Sequence, residues 1–415
     1  MEYSCVSKEL TNKISKEIKQ NNGIYFTPPS CVYNNITALQ PYLNPVVEKY
    51  DVLEPSCGSG EYITALNKLI PNINITGIEL NETIYQAILP LNNDKVTIHN
   101  VDYLQYNPDK KYDLIIGNPP YYVMKKTAVA KCYHPYFEGR PNIFILFIIK
   151  SIALLKEDGI MSFILPKNFL NCLYYDKTRE YITKHFKILD IIDCVDDKYI
   201  DTQQDTIILM IKKTADNMDM DTNMNTNTNN ESFVLGNNDY TIFVNKANKV
   251  NIEKLYKNSK SLLELGFKVS VGTIVWNQCK EILTHDDTKT RLIYSSNIEN
   301  NMLVTKTYKN AAKKGFINKP GITRPMIVIN RGYGVGEYIF NYCLIDEEKE
   351  YLVENHLICI ECKSVMPRDQ LIIEYKKILL SLNDERTTNF IKNYFGNNAI
   401  NTTELNNILP IYQDI

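Results

Sequence analysis

"DVLEPSCGSGEYITAL", Asp51 to Leu66, decides how the fold is read. A strand-like run ends at Glu54, Gly58-x-Gly60 turns the chain, and a helix-like run follows. Glycines at such a point permit a tight turn and let a ligand approach bare backbone. Glu79, in "GIEL" at the end of the next strand-like run, stands where a carboxylate accepts hydrogen bonds from ribose hydroxyls. The third glycine of a dinucleotide-type G-x-G-x-x-G would fall at Ile63, so close approach to a pyrophosphate is not provided for. A nucleoside cofactor without phosphate fits better, and S-adenosylmethionine has that chemistry. Asp102, in "HNVDYLQY", is placed to accept from an adenine amine, and Glu54 to face the ammonium or sulfonium region.

Outward from this turn, strand-like and helix-like segments alternate. "YDVLEP", "NITGIEL", "VTIHNVD", "YDLIIGN", "GIMSFILP" and "DTIILMIKK" read as strands, with "GEYITALNKLI" and "NIFILFIIKSIALLKEDG" as helices. Such alternation predicts an α/β domain with a mainly parallel sheet, here over residues 1–213. Residues 214–232, "TADNMDMDTNMNTNTNNES", are nearly free of core-forming side chains and read as a low-complexity linker or loop. Residues 233–415 then mix strands, turns and helices in an α+β pattern, as in "SLLELGFKVSVGTIVWN", "PMIVINRGYGVGEYIF" and "QLIIEYKKILLSLN".

With 415 residues, 44% hydrophobic and 23% charged, the chain is long enough for two ordinary globular domains. It has no apolar run of membrane-spanning length and no signal-peptide core, which predicts an intracellular, cytoplasmic protein away from membranes. Ten scattered Cys read as reduced thiols rather than a disulfide framework. Cys359 and Cys362 form a lone C-x-x-C without a second pair for zinc, and read as strand residues of "HLICIECK". The five His form no metal-hydrolase pattern, so no metal is expected. Net charge is −2, yet Lys246 to Arg331 carries 16 Lys/Arg against 6 Asp/Glu. That segment is an electrostatic footprint suited to a polyanion, with Lys313, Lys314, Arg324 and Arg331 as candidate phosphate contacts.

"IIGNPPY", residues 115–121, ends an apolar run with two prolines that forbid helix. Taken in order, "GIYFTPPSCV", "LEPSCGSGEY", "GIEL", "VDYLQY", "IIGNPPY", "NIFILFIIKSIALLKEDGIMSFILPKNFL" and "DTIILMIKK" resemble the gamma-type N6-adenine DNA methyltransferases of restriction–modification systems. The resemblance covers about residues 20 to 213; beyond, it is to variable target-recognition domains. It implies a Rossmann-like domain with a mainly parallel seven-stranded sheet, S-adenosylmethionine as cofactor, and double-stranded DNA as partner. It also implies a monomer, and a cognate restriction endonuclease that need not touch it. By position, Thr27 would bind the methionine carboxylate. Glu54, Ser56, Cys57, Gly58 and Gly60 would line the amino-acid and sugar portions, Glu79 the ribose, and Asp102 with Tyr103 the adenine. Cys57 is expected to pack rather than react. Asn118, Pro119, Pro120 and Tyr121 would form the catalytic motif, Asn142 would open the following helix, and Tyr121 and Tyr199 would stack on the target base.

The exocyclic amine of adenine is a poor nucleophile because its lone pair is delocalised into the ring. Two acceptors on its hydrogens, the Asn118 side-chain oxygen and the Pro119 carbonyl, would free that pair. The base must first leave the duplex and be held by stacking. The same motif also serves cytosine N4, RNA adenine and protein glutamine amide methylation, and a non-catalytic DNA-binding relative is a further reading. The basic region after the linker favours DNA.

Overall fold

The computed structural model describes residues 2–44, 46–194, 199–200, 205–214, 230–237, 240–331, 340–392 and 401–415. The chain divides into two compact units, Met1–Lys249 and Val250–Ile415.

The first unit opens with three helices, α1 (Cys5–Lys13), α2 (Lys16–Asn22) and α3 (Pro29–Leu39). Then β1 (Tyr50–Glu54), α4 (Glu61–Leu69), β2 (Ile73–Glu79), α5 (Glu82–Ile88) and β3 (Val96–Asn100) follow as strand–helix units. After β4 (Tyr112–Gly117) come α6 (Ile143–Leu154), β5 (Leu155–Pro166), α7 (Asp176–His185), β6 (Phe186–Asp193) and β7 (Thr206–Lys213). The seven strands form one sheet in the order β3-β2-β1-β4-β5-β7-β6. From β3 across to β5 neighbours are parallel, while β7 runs antiparallel to both β5 and β6. This is the expected mainly parallel α/β sheet. Every strand between the edges is covered on both faces, which is why β4 reads as a continuous apolar run. Leu53, Ile115, Met161, Phe163 and Leu209 pack under α6 and α7. Val52, Leu114, Ile116, Ile164 and Met210 pack on the other face against Val32 and Ile36 of α3 and Ile63 and Leu66 of α4. Helix α6 is apolar almost all round because it is buried almost all round.

Three expectations shift. The helix expected to continue through Gly159 stops at Leu154, where β5 begins at once. Asp158 at φ +62° and Gly159, whose added Cβ would meet the Lys156 carbonyl at 2.8 Å, turn the chain there, and the β4–β5 register slips. The strand β6 was not anticipated. Finally, the boundary expected at 213 and 233 moves to 249. Most of the low-complexity segment, residues 215–229, lies outside the described residues. The chain beyond it returns to the first unit. Asn230 is buried, accepts from Ile188 N at 2.8 Å and donates to the carbonyls of Thr183 and Phe186. The hairpin of β8 (Val234–Asn237) and β9 (Tyr240–Phe243) adds Phe233 and Phe243 to the core, beside Phe169. Arg179 of α7 is fully buried and pins this hairpin: it donates to the carbonyls of Thr241, Phe169 and Cys172 and pairs with Asp176. Helix α8 (Lys246–Tyr256) spans the boundary between the units.

The second unit is α+β, as expected. Strands Phe267–Val271, Leu357–Cys362, Met326–Asn330 and Tyr342–Ile345 form an antiparallel sheet in that order. A second sheet is built around Thr290–Ile293, which pairs in parallel with Tyr351–Val353. Helix Arg368–Leu382 covers residues read as helical in the sequence. Cys359 and Cys362 are buried within one strand, as read. Lys313, expected as a phosphate contact, lies over aromatic rings in this structure. Its ammonium sits 4.0 Å from the Tyr294 ring centre, 5.1 Å from Tyr308 and 5.9 Å from Trp276, and burial lowers its pKa. A cation lying over three rings contributes to the packing of this unit. No helix among the described residues is long and apolar enough to cross a membrane.

Two stability outcomes follow from these contacts. Arg179→Leu strands three carbonyls and Asp176, and is expected to cost about 3 kcal/mol in chemical denaturation, with no loss in the conservative control Lys184→Arg. Lys313→Met is expected to lower stability by about 1 kcal/mol while leaving the salt slope of DNA binding unchanged. A reduced slope would restore Lys313 to the phosphate contacts.

Candidate active site

In an open parallel sheet, ligands bind beyond the carboxyl ends of the strands where the strand order reverses. Here the chain steps from β1 outward to β3, then returns to place β4 on the other side of β1. A cavity of about 570 Å³ opens at that point. Its lining includes Thr27, Glu54, Ser56, Cys57, Gly58, Glu79, Asp102, Tyr103, Asn118 and Pro120, ten residues singled out in the sequence. Gly60, Pro119, Tyr121 and Tyr199 are not among them.

The glycine turn is built as its sequence requires. Gly58 and Gly60 have φ of +51° and +77°, the left-handed region, and Gly60 caps α4. An added Cβ on Gly60 would lie 2.5 Å from the Leu91 side chain, so its role is conformation and packing under the cavity rather than lining. Glu79 holds the turn: Oε2 accepts from Gly58 N at 2.9 Å and Oε1 from Asn81 N at 2.7 Å. Burial nevertheless pushes its pKa up to about 7, against the lowering effect of those donors. Cys57 packs, as expected; its thiol lies against Gly77 and burial raises its pKa, the opposite of an activated nucleophile.

Glu54 is the most demanding group in the cavity. It is 1% exposed, and its Oε2 has no hydrogen-bond partner among the described residues. Burial holds its carboxyl well above the usual range, and nearby Glu79 raises it further. A buried unmatched carboxylate calls for a positive donor. The ammonium of S-adenosylmethionine is such a donor, so the residues present fit this cofactor. At the other end, Asp102 caps a short helical turn through Leu104 N at 2.8 Å. Tyr103 is buried, packs on Phe147 at 4.8 Å and shares a hydrogen bond with Ser151. Ile143 and Phe147 of α6 complete an apolar wall suited to a flat heterocycle. Asn142 opens α6, as expected.

Asn118 stands at the rim, directly after β4. Its Nδ2 donates to Thr27 Oγ1 at 3.0 Å and, more weakly, toward the Tyr25 carbonyl at 3.5 Å. Its Oδ1 accepts from the Tyr121 hydroxyl at 2.6 Å, and its backbone carbonyl accepts from Ser56 Oγ at 3.0 Å. Tyr121 is turned inward: its ring meets Phe144 edge-on at 5.9 Å and its hydroxyl also reaches the Ile164 carbonyl at 2.9 Å. The flat face expected for a base is not presented to the cavity in this structure. Tyr199 is buried at 8% exposure.

Sequence reasoning missed Phe26, Leu80, Tyr122, Ile143 and Phe147 in the lining. Phe26 neighbours Thr27 and lies 3.7 Å from where a Gly58 Cβ would be, so adjacency to a chosen residue was its only signal. In the second unit, Lys314 donates to the Leu283 carbonyl at 3.0 Å and Arg324 to the Ser364 carbonyl at 2.6 Å, while Arg331 is exposed. Lys289, Lys309 and Lys319, not singled out before, are exposed there as well.

Residues 35–200 match the Eco57I restriction-modification methylase family. The Type II methyltransferase M.CvrRI of Paramecium bursaria Chlorella virus XZ-6E is 26% identical over 378 residues, covering 85% of this chain and 86% of that protein. The modification methylase CviBIII of Paramecium bursaria Chlorella virus NC1A is 32% identical over 211 residues, 47% of this chain and 52% of that protein. Among solved structures, a chain of the DrdV–DNA complex is similar in fold, with a TM-score of 0.50 and 12% identity over 94% of this chain and 55% of that one. The sequence matches are thus to restriction–modification methylases, and the strand order and cavity are those of a Rossmann-like S-adenosylmethionine-dependent methyltransferase fold.

Proposed function

We propose that the protein is a site-specific DNA methyltransferase that moves a methyl group from S-adenosylmethionine to the N6 amine of an adenine flipped out of double-stranded DNA. The observation that carries this reading is one cavity with an unmatched buried carboxylate at Glu54 and an oriented amide, Asn118, at its rim.

Within it, Glu54 faces the methionine ammonium, Glu79 takes the ribose hydroxyls, and Asp102 with Tyr103 and Phe147 holds the adenine. Ser56, Cys57 and Gly58 shape the floor, with Gly60 beneath. The bound cofactor supplies an electrophilic methyl on a sulfonium. Asn118 Oδ1 has two lone pairs; one is met by Tyr121 and the other is open to a target amine. The Pro119 carbonyl is the second acceptor, held in direction by the ring of Pro120. Two acceptors on the amine localise its lone pair before attack, and the proton departs to solvent, so no side chain is needed as a general base. Stacking by Tyr121 and Tyr199 would require these rings to turn toward the base on binding. The exposed cations Lys289, Lys309, Lys319 and Arg331 of the second unit are the phosphate contacts in this reading, which make that unit the target-recognition domain.

The test is transfer from labelled S-adenosylmethionine to unmethylated DNA, followed by digestion and identification of the base. N6-methyladenine is expected; N4-methylcytosine, or label only in protein or RNA, would overturn the reading. Asn118→Ala is expected to lower kcat by about 1,000-fold or more while cofactor affinity stays within about three-fold. A pH dependence comes from Glu79. With its pKa near 7, the group is mostly neutral at pH 6 and mostly a carboxylate at pH 8. The carboxylate is the better acceptor, so affinity for S-adenosylmethionine should rise about ten-fold from pH 6 to pH 8, and this rise should flatten in Glu79→Gln. Calorimetric titration at both pH values checks it.

A further inference from the structure

Thr27 occupies a position that cofactor binding alone does not explain. It is 7% exposed, it lines the cavity, and its Oγ1 accepts from Asn118 Nδ2 at 3.0 Å. The orientation of that amide is set by its neighbours. The second group on the same side is the Tyr25 carbonyl, which can only accept, and this favours Nδ2 there and Oδ1 on the other side. On that other side stands the Tyr121 hydroxyl, a donor. Among the described residues no acceptor takes the proton of the Thr27 hydroxyl. The backbone is braced at the same place. Gly23 ends α2 at φ +63°, and a Cβ on it would lie 2.6 Å from Tyr121 N and 2.9 Å from Tyr121 O. Segment 23–27 and segment 118–121 are thus packed as a pair, by a glycine contact at one end and a side-chain hydrogen bond at the other.

We propose that Thr27 is a positioning residue that ties cofactor occupancy to the orientation of the Asn118 amide. Its oxygen accepts from Asn118 Nδ2, while its proton is left to donate to the carboxylate of the cofactor's methionine. A hydroxyl engaged on both sides is fixed in rotation, and the amide it holds then keeps Oδ1 aimed at the target amine. Without a ligand to take the proton, the hydroxyl rotor is free and the amide is held less firmly. The inference rests on the function proposed above, in that it assigns Asn118 Oδ1 to the amine.

Two measurements test it. In the first, turnover is measured at saturating cofactor and DNA. Thr27→Val, which keeps shape and removes the hydroxyl, is expected to lower kcat about 10- to 100-fold, and Thr27→Ser to return within about three-fold of the parent. A Thr27→Val defect that disappears at saturating cofactor would mean that Thr27 serves binding only. A Thr27→Ser variant as impaired as Thr27→Val would mean that its methyl packing matters and not its hydroxyl. Either result overturns the proposal. The second measurement needs no turnover. In protein labelled with 15N at asparagine, the Asn118 side-chain amide is assigned by its loss in Asn118→Ala. It should move in Thr27→Val but hold in Thr27→Ser. Addition of S-adenosylmethionine should move it in the parent and not in Thr27→Val. An Asn118 amide indifferent to Thr27→Val sinks the proposal even if the enzyme is active. A parent protein that methylates no DNA would count against the function instead, and the amide resonance would still decide the positioning role.

Discussion

The adjacency of β1 and β4 is the constraint on which the rest of the first unit depends. Ser56 and Asn118 are 62 residues apart in the chain, yet one donates to the other's backbone at 3.0 Å. Only the reversal of strand order at β1 brings them together. Both strands must then be apolar on both faces, and both must end in residues small or bent enough to leave room. Gly117 shows how tight the fit is: an added Cβ would sit 3.4 Å from the Pro55 ring and 3.5 Å from Glu54 Cγ. The glycine turn after β1 and the proline turn after β4 are therefore one assembly, and the cavity lies across their ends.

The electrostatics of that assembly narrows the ligand. Glu54 and Glu79 are both buried; burial first, and the nearby Glu79 next, make ionisation of Glu54 harder. They offset their own cost only against hydroxyl donors and a positive charge. This agrees with the missing third glycine at Ile63, which packs in the core beneath Gly77 instead of opening the helix terminus to phosphate. Sequence spacing and the unmatched Glu54 carboxyl both favour a phosphate-free, cationic nucleoside such as S-adenosylmethionine.

What could be read in advance was local or ordered along the chain. The glycine turn, Glu79, Asp102 and Asn118 each follow a strand, so a register of strand ends was enough to find them. Three features escaped because their causes lie far away in sequence. The hairpin β8–β9 belongs to the first unit through Arg179, whose partner Thr241 is 62 residues distant. Lys313 looked like a free cation because nothing near it in the chain announces Tyr294, Tyr308 and Trp276 around its ammonium. The lining by Ile143 and Phe147 comes from an α6 so uniformly apolar that no periodicity marks which face meets the cavity.

Tyr121 joins these themes. Its hydroxyl has one proton and two acceptors in reach, Asn118 Oδ1 at 2.6 Å and the Ile164 carbonyl of β5 at 2.9 Å. While Oδ1 is otherwise unoccupied at the rim, the shorter bond satisfies it. Once an amine donates to the second lone pair of Oδ1, that oxygen gains a competing donor, and the Tyr121 proton still has the Ile164 carbonyl. The hydroxyl can yield without leaving a buried polar group unmatched, which keeps the change inexpensive. The same arrangement explains why the ring faces inward in the protein alone: turning it toward a base exchanges the hydroxyl's hydrogen bond and the Phe144 contact for stacking. In the proposed function, a flat partner must therefore be present before that exchange is favourable.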